Sequence, residues 1–234
     1  MYDMKDTIVG VFDSGVGGLT TVDTIRAEIP GAQIIYHNDH IHCPYGERSK
    51  TELLRITSKI VQNLKEQGAE VIVIACNTAT TQCIHELRKL FPDLSFIGTE
   101  PAIKLACEAK CKNILLMATP GTVKSVRTKE IITTCTKDAK VTLLPCPVLA
   151  KLIEDAVVVN GDKVIFQNND MLQTRLADLL GSLADRDTFD AVVLGCTHYV
   201  YIESYIRKYF PQAEMFNGNL GVAKQVARVV NNSL

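Results

Sequence analysis

Two stretches, residues 71–80 (VIVIACNTAT) and 191–199 (AVVLGCTHY), run nearly free of polar side chains until each reaches a cysteine. An aliphatic, β-branched run without alternation predicts a parallel strand buried on both faces. The small hydroxyl and amide residues directly behind each cysteine predict the opening of a helix. The rest of the first half keeps the same rhythm. Residues 8–12 (IVGVF) predict a strand, residues 13–18 (DSGVGG) a tight loop, and residues 19–29 a helix. A strand is expected at 33–36 and an amphipathic helix at 49–67, with Ile56, Ile60, Val61 and Leu64 on one face and Gly68 as its stop. A strand at 69–75, a helix at 82–91, a strand at 95–97 and a helix at 101–109 follow. Strand and helix alternate throughout, which predicts an α/β protein with mostly parallel sheets.

The pattern then restarts. Residues 113–119 (NILLMAT) repeat the first strand, Pro120-Gly121-Thr122 stands where the glycine loop stood, and 191–196 repeats 71–76. Asp13 to Cys76 spans 63 residues and Thr119 to Cys196 spans 77, so the second copy has the longer middle. That middle holds residues 142–147, the acidic Glu154-Asp155, a polar hinge at Asn160-Gly161-Asp162 and a helix over about 170–183. A helix at 201–209, a strand at 214–216 and a helix at 220–231 complete the chain, the last packing back on the first half. The expected architecture is two pseudo-symmetric α/β domains with the active site in the cleft between them. Residues 1–98 plus about 210–234 form the first domain, with Asp13 and Cys76; residues 99–209 form the second, with Glu154 and Cys196.

Composition narrows the partners. The 234 residues are 47% hydrophobic, enough for one large core or two modest ones. Lys plus Arg (25) nearly balances Asp plus Glu (26), so no basic surface for nucleic acid is expected. The first residues (MYDMKDT) are charged where a signal peptide is apolar, and no run approaches the ~20 apolar residues that span a bilayer. No membrane association and a cytoplasmic location are expected. The eight cysteines are diluted along the chain without the dense spacing of a disulfide scaffold, so they read as reduced thiols. No metal site is expected either. There is no C-x-x-C, Cys107 and Cys111 are four apart, Cys83-Ile84-His85 has no partner pair, and His37, His40, His42 and Asp39 share a loop whose spacing fixes no ligand geometry.

Two places carry candidate chemistry. The glycine loop after Phe12 lacks the third glycine of a dinucleotide fingerprint and the Gly-Lys-Ser/Thr of a P-loop. It reads either as a packing turn or as a ligand site, because Asp13 and Ser14 stand at the carboxyl end of a strand, where open α/β sheets bind. Pro44-Tyr45-Gly46 reads as a turn exposing backbone N–H groups and a phenol. The other place is the cysteine pair. A thiol at a helix N-terminus meets the positive dipole end, which lowers its pKa towards neutrality. Two such thiols across a cleft suit inversion of a stereocentre: one takes a proton from a carbon on one face and the other returns one on the opposite face. Against this stands the ordinary role of cysteine as a buried core residue, which is how Cys43, Cys83, Cys107, Cys111, Cys135 and Cys146 read.

Four ordered segments, residues 12–19 (FDSGVGGL), Pro44-Tyr45-Gly46, residues 75–79 (ACNTA) and residues 195–199 (GCTHY), resemble the signatures of the glutamate racemases of the aspartate/glutamate racemase superfamily. The resemblance runs nearly end to end. It implies cofactor-independent interconversion of L- and D-glutamate, with D-glutamate going to peptidoglycan, no pyridoxal lysine, and a homodimer. It implies that Cys76 and Cys196 are the two proton-transferring thiols, Asp13 assisting the first, His198 with Glu154 the second. Substrate contacts are carried over to Asp13, Ser14, Pro44, Tyr45, Gly46, Asn77, Thr78, Thr197 and His198, with Thr119 and Thr122 added. The chain departs from the family at Val200-Tyr201, where Pro-Leu is usual, and at Thr128 and Asn217, where Tyr and Asp are usual. Asn38 and His40 stand where small residues are commoner. The chain is short for the family and lacks the long N-terminal extension through which some members are activated by a cell-wall precursor. Because these loops shape the pocket, racemisation of aspartate or another amino acid stays as an alternative substrate reading. A non-enzymatic anion or nucleotide binder built on the glycine loop is the alternative from another class.

Overall fold

The computed structural model describes residues 7–160, 163–167, 170–181, 183 and 185–232. β1 (Ile8–Asp13) runs through a 3-10 turn (Val16–Gly18) into α1 (Leu19–Glu28). β2 (Gln33–Asn38) leads through two more 3-10 turns (His40–His42 and Tyr45–Glu47) to α2 (Lys50–Glu66). Ser49 caps α2 by accepting the Glu52 N–H at 3.2 Å, and Gly68, at φ +90°, turns the chain out of it. β3 (Val71–Ile74), α3 (Asn77–Leu90), β4 (Ser95–Gly98) and α4 (Ile103–Glu108) follow. The four strands form one parallel sheet in the order β2-β1-β3-β4.

The second half rebuilds this sheet. β5 (Asn113–Ala118), α5 (Pro120–Lys124), α6 (Val126–Cys135), β6 (Lys140–Pro145) and α7 (Leu149–Ala156) come first. An antiparallel hairpin, β7 (Val157–Asn160) and β8 (Lys163–Phe166), precedes α8 (Asp170–Gly181). β9 (Ala191–Gly195), a 3-10 stretch (Thr197–Ile202), α9 (Glu203–Arg207), β10 (Glu214–Phe216) and α10 (Asn219–Asn232) complete it. The sheet order β10-β9-β5-β6, read from its other edge, matches β2-β1-β3-β4. β5 is therefore the counterpart of β1 and β9 of β3, which puts Cys76 and Cys196 at equivalent strand ends.

Each sheet is covered on both faces. Ile56, Ile60, Val61 and Leu64 of α2, with Ile84 and Leu87 of α3, pack on Phe12, Ile72 and Ile74. Val22 and Ile25 of α1, with Val222 and Val226 of α10, pack on the opposite face against Val9, Val11 and Val73. Leu53, Val61 and Leu64 are 0% exposed, and each such side chain contributes about 1.5–3 kcal/mol of burial. The second sheet lies between α4 with α6 on one face and α7 with α8 on the other. Among the described residues no helix is long and apolar enough to cross a membrane.

Some elements differ from expectation. α3 opens at Asn77, directly behind Cys76 and five residues ahead of the expected start, and its threonines are satisfied locally: Thr81 Oγ1 donates to Asn77 O at 2.9 Å, and Thr80 Oγ1 to Ile74 O at 3.1 Å. The helix expected at 201–209 is α9 over Glu203–Arg207, entered through the end of the 3-10 stretch at Ile202. α7 carries the acidic Glu154-Asp155, and β7 and β8 flank the polar hinge expected at Asn160-Gly161-Asp162, of which Gly161 and Asp162 lie outside the described residues. β10 extends the second sheet before α10 closes on α1. Residues 214–216 thus pair with the free edge of β9, and α10 from Asn219 packs against α1.

Candidate active site

The residues behind the carboxyl ends of β1, β3, β5 and β9 wall one small, nearly closed cavity. Ser14, Pro44, Tyr45, Gly46, Cys76, Asn77 and Thr78 come from the first unit; Thr119, Ala150, Gly195 and Cys196 come from the second. The two thiols thus sit on opposite halves of a single cavity, 6% and 7% exposed.

Their neighbours differ. Cys76 is the N-cap of α3, with its Sγ 3.9 Å from Ser14 Oγ and within reach of the Thr78 and Ala79 N–H groups. Cys196 leads into a 3-10 stretch, and its Sγ lies 3.8 Å from His198 Nδ1. The far side of that ring, Nε2, is 2.8 Å from Glu154 Oε2. Cys196, His198 and Glu154 therefore form a chain leading away from the cavity.

The expectation of lowered thiol pKa values is overturned. Burial, aided by the nearby Asp13 charge, pushes Cys76 up to about 12, against the smaller pull of the helix N–H groups and Ser14. Burial, then the proximity of Cys76 and Asp13, raises Cys196 well above 9.0. Desolvation of a thiolate outweighs one helix terminus when the site is closed. Asp13 is itself held above the usual carboxylate range, by burial first, while His198 and Thr197 pull the other way. Thr197 Oγ1 donates to Asp13 Oδ2 at 3.1 Å across the seam. Asp13 Oδ1 and Asn77 Oδ1 are buried without a hydrogen-bond partner among the described residues.

The opposite wall is a hydroxyl cluster. Thr78 Oγ1 lies 2.8 Å from Thr119 Oγ1 and 3.1 Å from Thr122 Oγ1, which also accepts from Thr119 at 3.1 Å. Thr119 caps α5 by accepting the Thr122 N–H at 3.2 Å. Gly46 leans on this cluster so closely that a Cβ there would lie 2.5 Å from Thr119 Cβ. Tyr45 does not present its phenol to solvent as its turn suggested. It is 1% exposed, and its hydroxyl donates to Asp39 Oδ2 at 2.5 Å, because a buried phenol needs an acceptor.

The glycine loop is occupied by the protein itself. A Cβ on Gly15 would lie 2.2 Å from Glu154 Oε2, and one on Gly17 would lie 2.5 Å from Thr197 Oγ1. The Val16 N–H donates to Glu154 Oε2 at 2.8 Å, while Tyr36 OH and Tyr201 OH donate to the Gly15 and Val16 carbonyls at 2.5 and 2.9 Å. Val16 inserts into the core of the second unit beside Leu149, Ile153 and Tyr199. The missing side chains admit the other half of the molecule, which removes the basis for a nucleotide or anion cradle.

Of the expected site residues, Ser14, Pro44, Tyr45, Gly46, Cys76, Asn77, Thr78, Thr119 and Cys196 line the cavity. Asp13, Thr122, Glu154, Thr197 and His198 stand one layer behind it, hydrogen-bonded as described. Ala150 carried no signal in the sequence; Gly195 was read only as part of the 195–199 segment, and Asp39 only as a member of the histidine loop, not as the partner of Tyr45. Among the departures, Tyr201 ties the glycine loop down, Thr128 donates its N–H to the Ser125 cap at the start of α6, and Asn217 accepts the Asn219 N–H at 3.1 Å.

The pattern of the Asp/Glu/Hydantoin racemase family matches residues 20–225. A glutamate racemase of Clostridium acetobutylicum is 35% identical over 226 residues, 96% of this chain and 84% of that one. One of Herpetosiphon aurantiacus is 38% identical over 229 residues, 97% and 86% of the two chains. The crystal structure of Escherichia coli glutamate racemase with L-glutamate and the activator UDP-MurNAc-Ala superimposes with a TM-score of 0.82 at 31% identity, covering 96% of this chain and 82% of that one. Its paired sheets, its cleft and these likenesses place the chain in the Asp/Glu/Hydantoin racemase family of isomerases.

Proposed function

We propose that this chain is a cofactor-independent glutamate racemase that moves the α-proton between Cys76 and Cys196. The observation that carries this reading is the pair of thiols at equivalent strand ends, facing one cavity from its two halves. A carbon held between them loses its proton to one thiolate and gains one from the opposite thiol, which inverts the centre. In the closed site burial holds the protons on both thiols, so each needs a neighbour able to take one. His198, backed by Glu154, serves Cys196. Asp13, whose proton affinity burial raises, serves Cys76. A substrate ammonium satisfies the unpartnered acceptors Asp13 Oδ1 and Asn77 Oδ1. Ser14, Gly46 N–H and the Thr78, Thr119 and Thr122 hydroxyls receive the carboxylates, with Pro44 and Tyr45 shaping the wall and Thr197 holding Asp13. Closure excludes water, so fixed dipoles act on the developing carbanion at low dielectric.

In this reading the first unit comprises residues 7–98 with 219–232 and the second comprises 99–217. The enzyme works in the cytoplasm as a homodimer and supplies D-glutamate for peptidoglycan; sedimentation velocity checks the dimer. The mechanism is tested by α-proton exchange in deuterated water, without added cofactor. Cys196→Ser exchanges one glutamate enantiomer much faster than the other, and Cys76→Ser reverses the preference. Equal loss from both enantiomers in each variant refutes the two-base assignment. Absence of any interconversion of glutamate by folded wild-type protein refutes the substrate.

A further inference from the structure

Among the described residues, Cys43, Glu154 and His198 are the one group of three metal-ligating side chains whose donor atoms all lie within 4.8 Å of one another. The sequence offers no hint of it. Cys43 comes from the loop between β2 and α2, Glu154 from α7 and His198 from the 3-10 stretch after β9, so the set joins only in the folded, closed molecule. The histidine-rich loop that does look metallic in sequence resolves differently, with His42 Nδ1 bound to Asp39 at 2.7 Å.

We infer that Cys43, Glu154 and His198 form an inhibitory site for a borderline-soft divalent cation, Zn2+ above all, that clamps the two units together. A thiolate, an imidazole and a carboxylate are a donor set that tetrahedral zinc accepts, with the fourth position left to water. Ligand atoms around such a centre stand about 3.5 Å apart given bonds of about 2.0–2.3 Å, so edges of up to 4.8 Å must draw in by at most 4.8 − 3.5 = 1.3 Å, while the shorter His198–Glu154 edge opens slightly. The His198–Glu154 edge is already 2.8 Å. Cys43 is half-buried and the Glu154 side chain 12% exposed, whereas the His198 side chain is 1% exposed, so a cation enters from the Cys43 and Glu154 side. On binding, the Cys43 thiol gives its proton to solvent and its sulfur bonds the metal.

Two consequences follow, the second resting on the proposed racemase reading. The cation ties the first unit (Cys43) to the second (Glu154, His198), which holds the cleft closed. It also engages the two groups that serve Cys196, so racemisation stops.

Binding is read on the full chain with Co2+ as a spectroscopic stand-in and Zn2+ as competitor, separately from activity. Co2+ is expected to bind one per chain with a thiolate-to-metal charge-transfer band, and Zn2+ to displace it. Cys43→Ser is expected to lose the band and weaken Zn2+ at least about 10-fold, the loss typical even of outer partners of a metal site. Its metal-free racemisation should stay at the wild-type rate and resist Zn2+. Glu154→Gln, which keeps the thiol, should weaken Zn2+ similarly, and this covers a Cys43 variant that does not fold. A wild-type chain without the band, or a band kept in Cys43→Ser, overturns the site. Binding without inhibition overturns the inhibitory role alone. Failure of metal-free wild-type protein to racemise bears on the proposed function and leaves the binding result standing.

Discussion

Replacing Gly15 with alanine tests whether the seam between the units, and not the thiols alone, sets the rate. Gly15 has φ −176° and ψ −160°, an extended backbone that alanine adopts without strain, so the effect is purely one of space. The new Cβ would stand 2.2 Å from Glu154 Oε2, where ordinary contact begins at 3.4 Å, so the carboxylate must retreat by 3.4 − 2.2 = 1.2 Å. The same oxygen accepts from Val16 N–H and sits against His198 Nε2, each at 2.8 Å, and a retreat of that size takes both beyond hydrogen-bonding range. Charge-assisted bonds of this kind contribute about 1.5–3 kcal/mol each. Because the Glu154 side chain is 12% exposed and regains some water, the expected loss of stability is about 2–3 kcal/mol in total. A displacement of about 1 Å at a catalytic group costs on the order of 100-fold in rate. Since enantiomers have equal free energy, kcat/KM must fall equally in both directions. The asymmetry appears instead in α-proton exchange, where the enantiomer served by Cys196 loses more. Urea midpoints, kcat/KM and exchange from each enantiomer are measured side by side. A variant with wild-type stability and wild-type kcat/KM would refute the role assigned to this contact.

Two further outcomes are expected. The folded pKa of Cys76, about 12, lies above its ordinary 9.0, so its contribution to stability is complete below pH 9 and is lost as pH rises towards 12. Cys76→Ser should therefore flatten the alkaline decline of unfolding free energy by about 1.4 kcal/mol per pH unit in that window; parallel wild-type and variant slopes would contradict it. Asn219 accepts from Thr21 Oγ1 and donates to Thr20 Oγ1, both at 3.0 Å, and it is buried. Asn219→Ala should cost about 1–3 kcal/mol in denaturant unfolding while activity per folded molecule stays unchanged; a loss below 0.5 kcal/mol would show that these bonds hold little.

The central strands were legible because a strand buried on both faces leaves an unbroken apolar run, as in β3 and β9. Both sheets and their duplication follow from that signal, and the four motifs add most of the cavity wall, though not Ala150 of α7. The β7–β8 hairpin was not legible, since Val158, Val159 and Ile165 stay exposed and give no alternation to read. The direction of the thiol pKa values was misread because a helix start is visible in sequence, whereas the desolvation opposing it depends on how tightly the cleft closes. The first glycine loop reads as a packing turn or a ligand site, because nothing local in the sequence says whether a ligand or another part of the chain fills the space its glycines leave. Cys43 failed for a related reason: its companions lie more than a hundred residues away.

α10 has a consequence for how the molecule is made. Its Val222, Ala223 and Val226 complete the layer that α1 begins over Val9, Val11 and Val73, yet about 190 residues separate Glu28 from Asn219. Until that intervening chain has been synthesised, the part of this face that α1 does not cover stays bare, even with the four strands in register. A pairing so distant along the chain forms late, and an intermediate with an exposed apolar sheet face is prone to aggregate. The second unit has its core helices in hand before α10 arrives. The natural order of assembly is therefore inverted, with the later half consolidating first and the earlier half waiting for a lid supplied from beyond it.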